Sequence, residues 1–283
     1  MDASVQPQVA RLPKAISNLP PFPAVAIRAL RMASTSDERL RELHDLVSTD
    51  PVFSAEILRF ANSPLYGIST EVKNTLQASI LLGYERVRGL VLTIGMRIYL
   101  RPSPDTPVLR ACWLHSLACA ILCEEFSCLG NIDKDLAYTA GVIHDIGQLA
   151  LIAAHSKEYQ QLVDDPAHSA VDLLQREREL FGIDHCQAGG SLVAAWHLPM
   201  EFLEATSQHH QQDCDGKFDL TAVVALSCEM ADALGFGLVS PAKSPSCEEI
   251  LGRVPEHEQL LLPSRSAELA ARIASKIKCI EAV

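Results

Sequence analysis

Apolar residues recur along this chain at helical spacing, and no stretch sustains the every-second-residue alternation of a half-buried strand. After a leader of about 18 residues with little periodicity, Leu19-Pro20-Pro21-Phe22-Pro23 opens the first ordered unit, because proline is tolerated in a helix's first turn. Val25, Ile27, Leu30 and Met32 then read as one apolar face. Ser36 or Asp37 is placed to cap a helix carrying Leu40, Leu43, Leu46 and Val47. Asp50-Pro51 repeats the cap-then-proline signal ahead of Val52, Ile57, Leu58 and Phe60. That helix ends at Asn62-Ser63-Pro64, since Pro64 pushes Ser63 out of the helical region. A further helix is predicted over 76–82, broken at Gly83, and a strongly apolar, buried one over 87–100.

Arg101 to Pro107 holds three prolines and one aspartate, the composition of a junction. Beyond it the pattern predicts helices around 108–128, 134–155, 169–182, 185–195, 199–210 and 219–235. A loop at 240–246 and a terminal helix at about 264–280 follow, with no internal repeat at a fixed period. The expected class is all-α: a poorly ordered leader over 1–18, an N-terminal helical lobe over 19–104, and a second lobe over 105–283. The short junction and the apolar 87–100 helix predict that the two lobes pack together.

Composition fits that picture and narrows the function. At 283 residues, 48% of them apolar, the chain can bury a sizeable core. The 24 basic residues against 35 acidic ones give a net charge of −11. An acidic chain without a basic run repels phosphate backbones and anionic lipid surfaces, so neither a nucleic acid nor a membrane is an expected partner. The start is not signal-like, and no run approaches the ~20 apolar residues of a membrane span. Nine cysteines without C-x-x-C spacing signal no disulfide framework and read as reduced thiols in a cytoplasmic protein. Cys112, Cys119 and Cys123, at helical spacing, are expected to face a core.

The chemistry-bearing residues are scattered in sequence. His115 lies within an apolar helix, His144-Asp145 follows the apolar run 140–143, and His185 follows a possible cap, Asp184. His209-His210 closes a helix, and Asp232 lies on the helix from Thr221. Each alone has an ordinary structural explanation: a hydrogen-bonded core histidine, a helix-end ion pair, or a solvated helix terminus favouring positive charge. Together, imidazole nitrogens and carboxylates form a mixed donor set suited to Zn, Fe, Mn, Ni or Co. Donors on separate helices that meet in a bundle core are a recurrent way to build such a site.

The residues also resemble a known family. His144-Asp145-Ile146-Gly147 looks like the signature of HD-domain phosphohydrolases, and Trp113-x-His115-Ser116 resembles its first histidine. The middle of that family is matched by Glu179-Leu180-Phe181-Gly182-x-x-His185, continuing through Trp196-x-Leu198-Pro199 to His209-His210, and its last ligand position by Asp232. In the first lobe, Leu19 to Pro23, Asp50-Pro51, Asn62-Ser63-Pro64-x-Tyr66-Gly67 and Ala78-x-x-x-Leu82-Gly83 resemble the HDOD family, an HD-related output domain of bacterial signalling. The likeness runs from about residue 15 to about 240.

This resemblance implies a regulatory module working through a signalling protein partner. It also implies one or two divalent ions (Fe, Mn, Ni, Zn, Co or Mg) held by His115, His144, Asp145, His185, His209, His210 and Asp232. Asp145 would be the bridging carboxylate and, if the site is active, the catalytic one. His144 and Asp232 would join it on one ion, and His185, His209 and His210 would serve the other. HDOD members generally lack some of these ligands, whereas this chain keeps all seven positions. Against catalysis, the lysine that commonly follows the HD signature is replaced by Gln148, and no Gly-Tyr-Pro segment follows His210. A signalling module with a retained metal site is therefore expected ahead of an active phosphohydrolase. A DNA-binding regulator, suggested only by the helix–Gly83–helix, ranks last.

Overall fold

The computed structural model describes residues 12–32, 38–101, 106–165, 173–211, 218–238, 245–255, 259 and 266–282. Among these the protein is all-helical with no strand. The first helices are α1 (Ala24–Arg31), α2 (Glu38–Ser48), α3 (Pro51–Ala61), α4 (Thr75–Leu82) and α5 (Tyr84–Leu100). Next come α6 (Pro107–Phe126), α7 (Lys134–Ile143), α8 (Ile146–Ala154), α9 (Ser156–Asp164) and α10 (Leu173–Phe181). The remainder are α11 (His185–Ala195), α12 (Met200–Gln208), α13 (Leu220–Ala231), α14 (Cys247–Leu251) and α15 (Ser266–Ala282).

Short polar side chains start these helices by accepting from otherwise unpaired N–H groups. Asp50 accepts from Val52 and Phe53 at 2.9 and 3.3 Å, with Pro51 in the first turn. Asp133, Asp184 and Asp219 do the same for α7, α11 and α13. The expected cap at Ser36 or Asp37 and the 240–246 loop fall largely outside the described residues.

Helices α1 to α4 gather around α5, which also packs along α7. Helix α6 is the axis of the rest, touching α7, α8, α9, α13 and α15, while α8 packs on α11 and α12 bridges α11 to α13. As expected, α5 is buried over most of its length, and Cys112, Cys119 and Cys123 are fully enclosed. On α1 the enclosed face is Ala26, Ala29 and Leu30; Val25, Ile27 and Met32 are only partly covered.

Part of the expected leader, residues 12–18, lies among the described residues. Lys14–Ile16 form a short 3-10 turn against α8, Ile16 is completely buried, and His155 Nε2–H donates to the Ala15 carbonyl at 2.8 Å. A single buried isoleucine with one backbone tether has too little periodicity to be visible in sequence. Residues 1–11 lie outside the described residues.

Two stretches, Pro107–Gly130 and Lys134–Ala154, are after all long and apolar enough to cross a bilayer by length and composition. Their most apolar windows are 72% and 89% buried inside the fold. They form its core.

Candidate metal centre

The centre is built mostly from helix ends. His115 comes from within α6, His185 is the first residue of α11, and His209 and His210 directly follow α12. Asp232 directly follows α13 and opens a π-turn over Asp232–Phe236.

His144 and Asp145 sit where the single helix expected over 134–155 breaks into α7 and α8. Asp145 has φ −99° and ψ 22°, outside the helical well. The break lets α8 lie on α11 at very close range: a Cβ on Gly147 would sit 2.0 Å from the His185 carbonyl oxygen and 2.4 Å from Gly189 N. Glycine at 147 is thus what brings Asp145 and His185 together. Gly141 permits a similar approach, since its Cβ would meet the Ala120 backbone at 2.5 Å.

Asp145 is at the middle of the cluster. Its Oδ2 lies 3.3 Å from His144 Nε2 and 3.5 Å from His115 Nε2. Its Oδ1 lies 3.2 Å from His209 Nε2 and 3.7 Å from His185 Nε2. Each carboxylate oxygen therefore addresses a different pair of imidazoles. His210 Nε2 stands 3.0 Å from His185 Nε2, and Asp232 Oδ1 stands 3.3 Å from His115 Nδ1. All seven residues expected from the sequence are brought into one connected cluster. Five of them are buried (His115, His144, Asp145, His185 and His209), while His210 is exposed and Asp232 half-buried.

The hydrogen bonds fix which nitrogens face inward. A carbonyl oxygen only accepts, so His144 Nδ1–H donates to Gly141 O (2.8 Å) and His209 Nδ1–H to Thr206 O (3.0 Å). His185 Nδ1–H donates to Glu177 Oε2 at 2.7 Å. In His144 and His209 Nε2 is left to face Asp145, and in His185 it lies between His210 Nε2 at 3.0 Å and Asp145 Oδ1 at 3.7 Å. His144 Nε2, His209 Nε2 and Asp145 Oδ1 are enclosed yet make no hydrogen bond.

A neutral ring would point a nitrogen lone pair at a carboxylate lone pair, so a proton or a metal ion must lie between. Burial drives His209 down and His115 down to about 4, favouring their neutral forms. Although His210 is exposed as a residue, the inner side of its ring packs on His185; desolvation there, with His209 and His185 adding to the effect, lowers it below its usual range. Burial opposes charge at His144 and Asp145 as well, but their mutual attraction prevails, raising His144 and holding Asp145 well below the usual carboxylate range. At Asp232, burial and the Asp145 charge push the carboxyl up to about 7. Metal binding requires neutral imidazoles around an ionised carboxylate; His115, His209 and His210 favour the neutral form, and at His144 a bound ion would take the place of the proton. The donors fit a divalent ion.

Several contributors were not recognised in the sequence. Glu177 is completely buried, accepts from both the ring and the backbone N–H of His185, and is hydrogen-bonded by the Tyr159 hydroxyl. Its charge outweighs burial and raises His185 well above its usual range. A carboxylate behind a ligating histidine orients the ring and makes it more basic. Cys228 Sγ lies 3.5 Å from His115 Nε2, and Cys186 adjoins the His185, His209 and His210 donors. Gln148 is buried, with the Cys112 thiol donating to its Oε1 at 3.1 Å.

The sequence profile of the HDOD domain family matches residues 19–212. The chain belongs to the HDOD domain family. It is similar to an HDOD domain protein from Geobacter sulfurreducens, with a TM-score of 0.73 and 23% identity over 94% of this chain and 93% of that one. A Shewanella amazonensis protein, proposed in its name to be a phosphohydrolase, gives a TM-score of 0.68 and 20% identity over 94% and 95% of the two chains. A Marinobacter aquaeolei protein gives a TM-score of 0.68 and 20% identity, covering 93% of this HDOD chain and 59% of that one. These likenesses establish the all-α fold. In sequence, the chain is 29% identical over 182 residues to ribonuclease Y of Thermus thermophilus and 18% identical over 197 residues to a protein of Treponema pallidum. Those matches cover 64% and 69% of this HDOD chain, which spans only 25% and 38% of the two relatives' lengths.

Proposed function

We propose that this HDOD protein is a signal-transduction output and interaction module that retains an HD-type metal site and turns over little or no substrate. The observation that carries this reading is a contrast in charge. The donors for a divalent ion are present and enclosed, while the basic residues of the neighbouring helix are engaged elsewhere. Arg86 is held between Glu124 and Asp135 at 2.8 and 2.7 Å, Arg88 pairs with Glu85 at 2.9 Å, and Arg97 with Glu56 at 3.3 Å. Phosphoryl transfer depends on positioning and on charge that stabilises the phosphoryl oxygens beyond the metal itself. Gln148 supplies no such charge, being neutral and turned to Cys112. The name of the Marinobacter aquaeolei protein, which proposes a signal-transduction role, points the same way.

The second reading is a metal-dependent phosphohydrolase acting on a nucleotide or phosphodiester. It is favoured by Asp145, whose two oxygens address separate imidazole pairs. A carboxylate between two ions ~3.5–4 Å apart has that arrangement. Hydrolysis of cyclic dinucleotides, nucleotides and a chromogenic phosphodiester, with Mn, Fe, Ni, Co or Mg supplied, separates the two readings. The module reading expects no turnover above background. Turnover near the ~1–10³ s⁻¹ typical of enzymes, abolished by Asp145→Ala, would establish the phosphohydrolase instead.

A further inference from the structure

We propose that the cavity where α5, α6 and α15 meet binds a small organic phosphate carrying an aromatic ring, of the mononucleotide kind, through Arg97, Arg101, Arg110 and Trp113. None of these belongs to the metal cluster, and the inference stands whether or not that cluster binds an ion.

The cavity follows from the order of residues on two helices. Arg97 lies in the last turn of α5, and Arg101 directly follows that helix, four positions on and so on the same face. Arg110 and Trp113, three apart, share a face near the start of α6. Together these side chains line a cavity of about 340 Å³, walled by Leu109 and by Ile280 of α15. Small-molecule sites typically occupy ~300–1,000 Å³. Trp113 and His115 are two residues apart on α6, about 200° around its axis. Trp113 therefore turns toward the cavity while His115 turns toward Asp145. One helix serves two separate sites.

Charge decides what the cavity suits. In a chain of net charge −11, three guanidiniums stand around one small space. Glu56 is divided between Arg97 and Arg59, at 3.3 and 2.9 Å, and Arg110 pairs with Glu281 at 3.2 Å. The Arg97 and Arg110 side chains are 32% and 60% exposed, and a guanidinium has five N–H donors, so both keep donors for a further acceptor. Arg101 is exposed and makes no ion pair among the described residues. Clustered guanidiniums match the oxygens of a phosphoryl group, which accepts from them in pairs.

The half-buried Trp113 adds a second requirement. Its indole offers a surface on which a base can stack, and arginine stacks on the same rings. Inorganic phosphate would leave the indole and the apolar walls unused, and an uncharged ring would leave the guanidiniums unmet. A ligand with both parts uses the whole cavity. It would also tie together the end of α5, the start of α6 and the end of α15.

The test uses the full chain with a chelator present, so that no phosphate is drawn to an ion. It is titrated with AMP and GMP and, for comparison, with inorganic phosphate, adenosine and a single-stranded oligonucleotide, followed by calorimetry and tryptophan emission. AMP or GMP should bind with a Kd below about 1 mM, change the emission and raise the melting temperature. Phosphate and adenosine should each bind at least about 10-fold more weakly. Arg101→Ala and Arg110→Ala should each weaken nucleotide binding about 10–100-fold, and Trp113→Leu should remove the emission change. Both arginines are exposed, so their substitution leaves the core intact, and circular dichroism checks that each variant is folded. No binding of either nucleotide at ~10 mM overturns the proposal. Binding undiminished in Arg101→Ala and Arg110→Ala overturns it too, by placing the nucleotide elsewhere. Phosphate bound as tightly as AMP would overturn the role of Trp113, and an oligonucleotide bound more tightly than either nucleotide would replace the small ligand with a nucleic acid.

Discussion

The ionisable groups around α5 and those around Asp145 are treated in opposite ways by the same fold. Around α5, guanidinium meets carboxylate: Arg86 between Glu124 and Asp135, Arg88 against Glu85, Arg97 against Glu56. The charges cancel within the protein. Around Asp145, four imidazole nitrogens converge on one carboxylate, and His144 Nε2, His209 Nε2 and Asp145 Oδ1 are enclosed without a hydrogen bond. Buried polar groups normally find partners, and leaving them without costs free energy. The first region supplies its own counter-charges, even though Glu85 Oε2, Arg88 Nε and Asp135 Oδ1 also lack hydrogen bonds, whereas the second calls for a cation.

The contrast can be broken at several points. The largest effect is expected from Gly147→Ala, which would drive a Cβ into the backbone at His185 and Gly189. Neither neighbour can swing away, so a loss of more than about 3 kcal/mol in stability is expected, at or beyond the upper range for overpacking. Thermal unfolding reads it, and an unchanged melting temperature would show that α8 and α11 approach less closely.

Arg86→Ala is next. It would strand Asp135 and leave Glu124 with Lys276 alone, 3.4 Å away; the two carboxylate side chains are 24% and 19% exposed. Breaking a buried pair from one side costs ~3–5 kcal/mol, and partial exposure reduces this to about 2–4 kcal/mol. Urea denaturation should show the loss while bound metal per chain stays constant. A fall in metal content instead would mean that the two regions are coupled.

Glu177→Gln keeps the shape behind His185 and removes the charge. Metal affinity should fall about 10–100-fold, measured by competition with a chromophoric chelator. An unchanged affinity would reduce Glu177 to a packing role.

The smallest effect concerns pH. Burial works against ionised Glu124, but Arg86 and Lys276 outweigh it and hold its pKa below the ordinary 4.5. A depressed carboxylate stabilises the fold above its unfolded value, and that contribution is lost as pH falls from about 4.5 through the lower folded value. The stability gap between wild type and Glu124→Gln should therefore be widest near neutrality and shrink below pH about 4.5. A gap that widens in acid would reverse the sign.

What the sequence revealed follows from the range over which each signal acts. The helices were legible because caps such as Asp50-Pro51 and apolar spacing are local. The break at His144-Asp145 was not, because it goes with the close approach of Gly147 to α11, a contact about forty residues away in sequence. The seven residues were legible as an ordered set of motifs, and the fold places them side by side. Glu177 was hidden within Gln175-Arg176-Glu177-Arg178-Glu179, a charged run that reads as a solvated face, although Glu177 is completely buried. Cys228 sits in the apolar face of α13 and reads as an ordinary core thiol until its distance to His115 is known.

The central claim is that the cluster around Asp145 is held open for metal. The most direct test is the divalent metal content of the full chain after reconstitution and exhaustive dialysis, by mass spectrometry, beside Asp145→Asn. At least one ion per wild-type chain is expected, with most of it lost in the variant. Wild-type protein that retains none, or a variant that retains as much, would contradict the account.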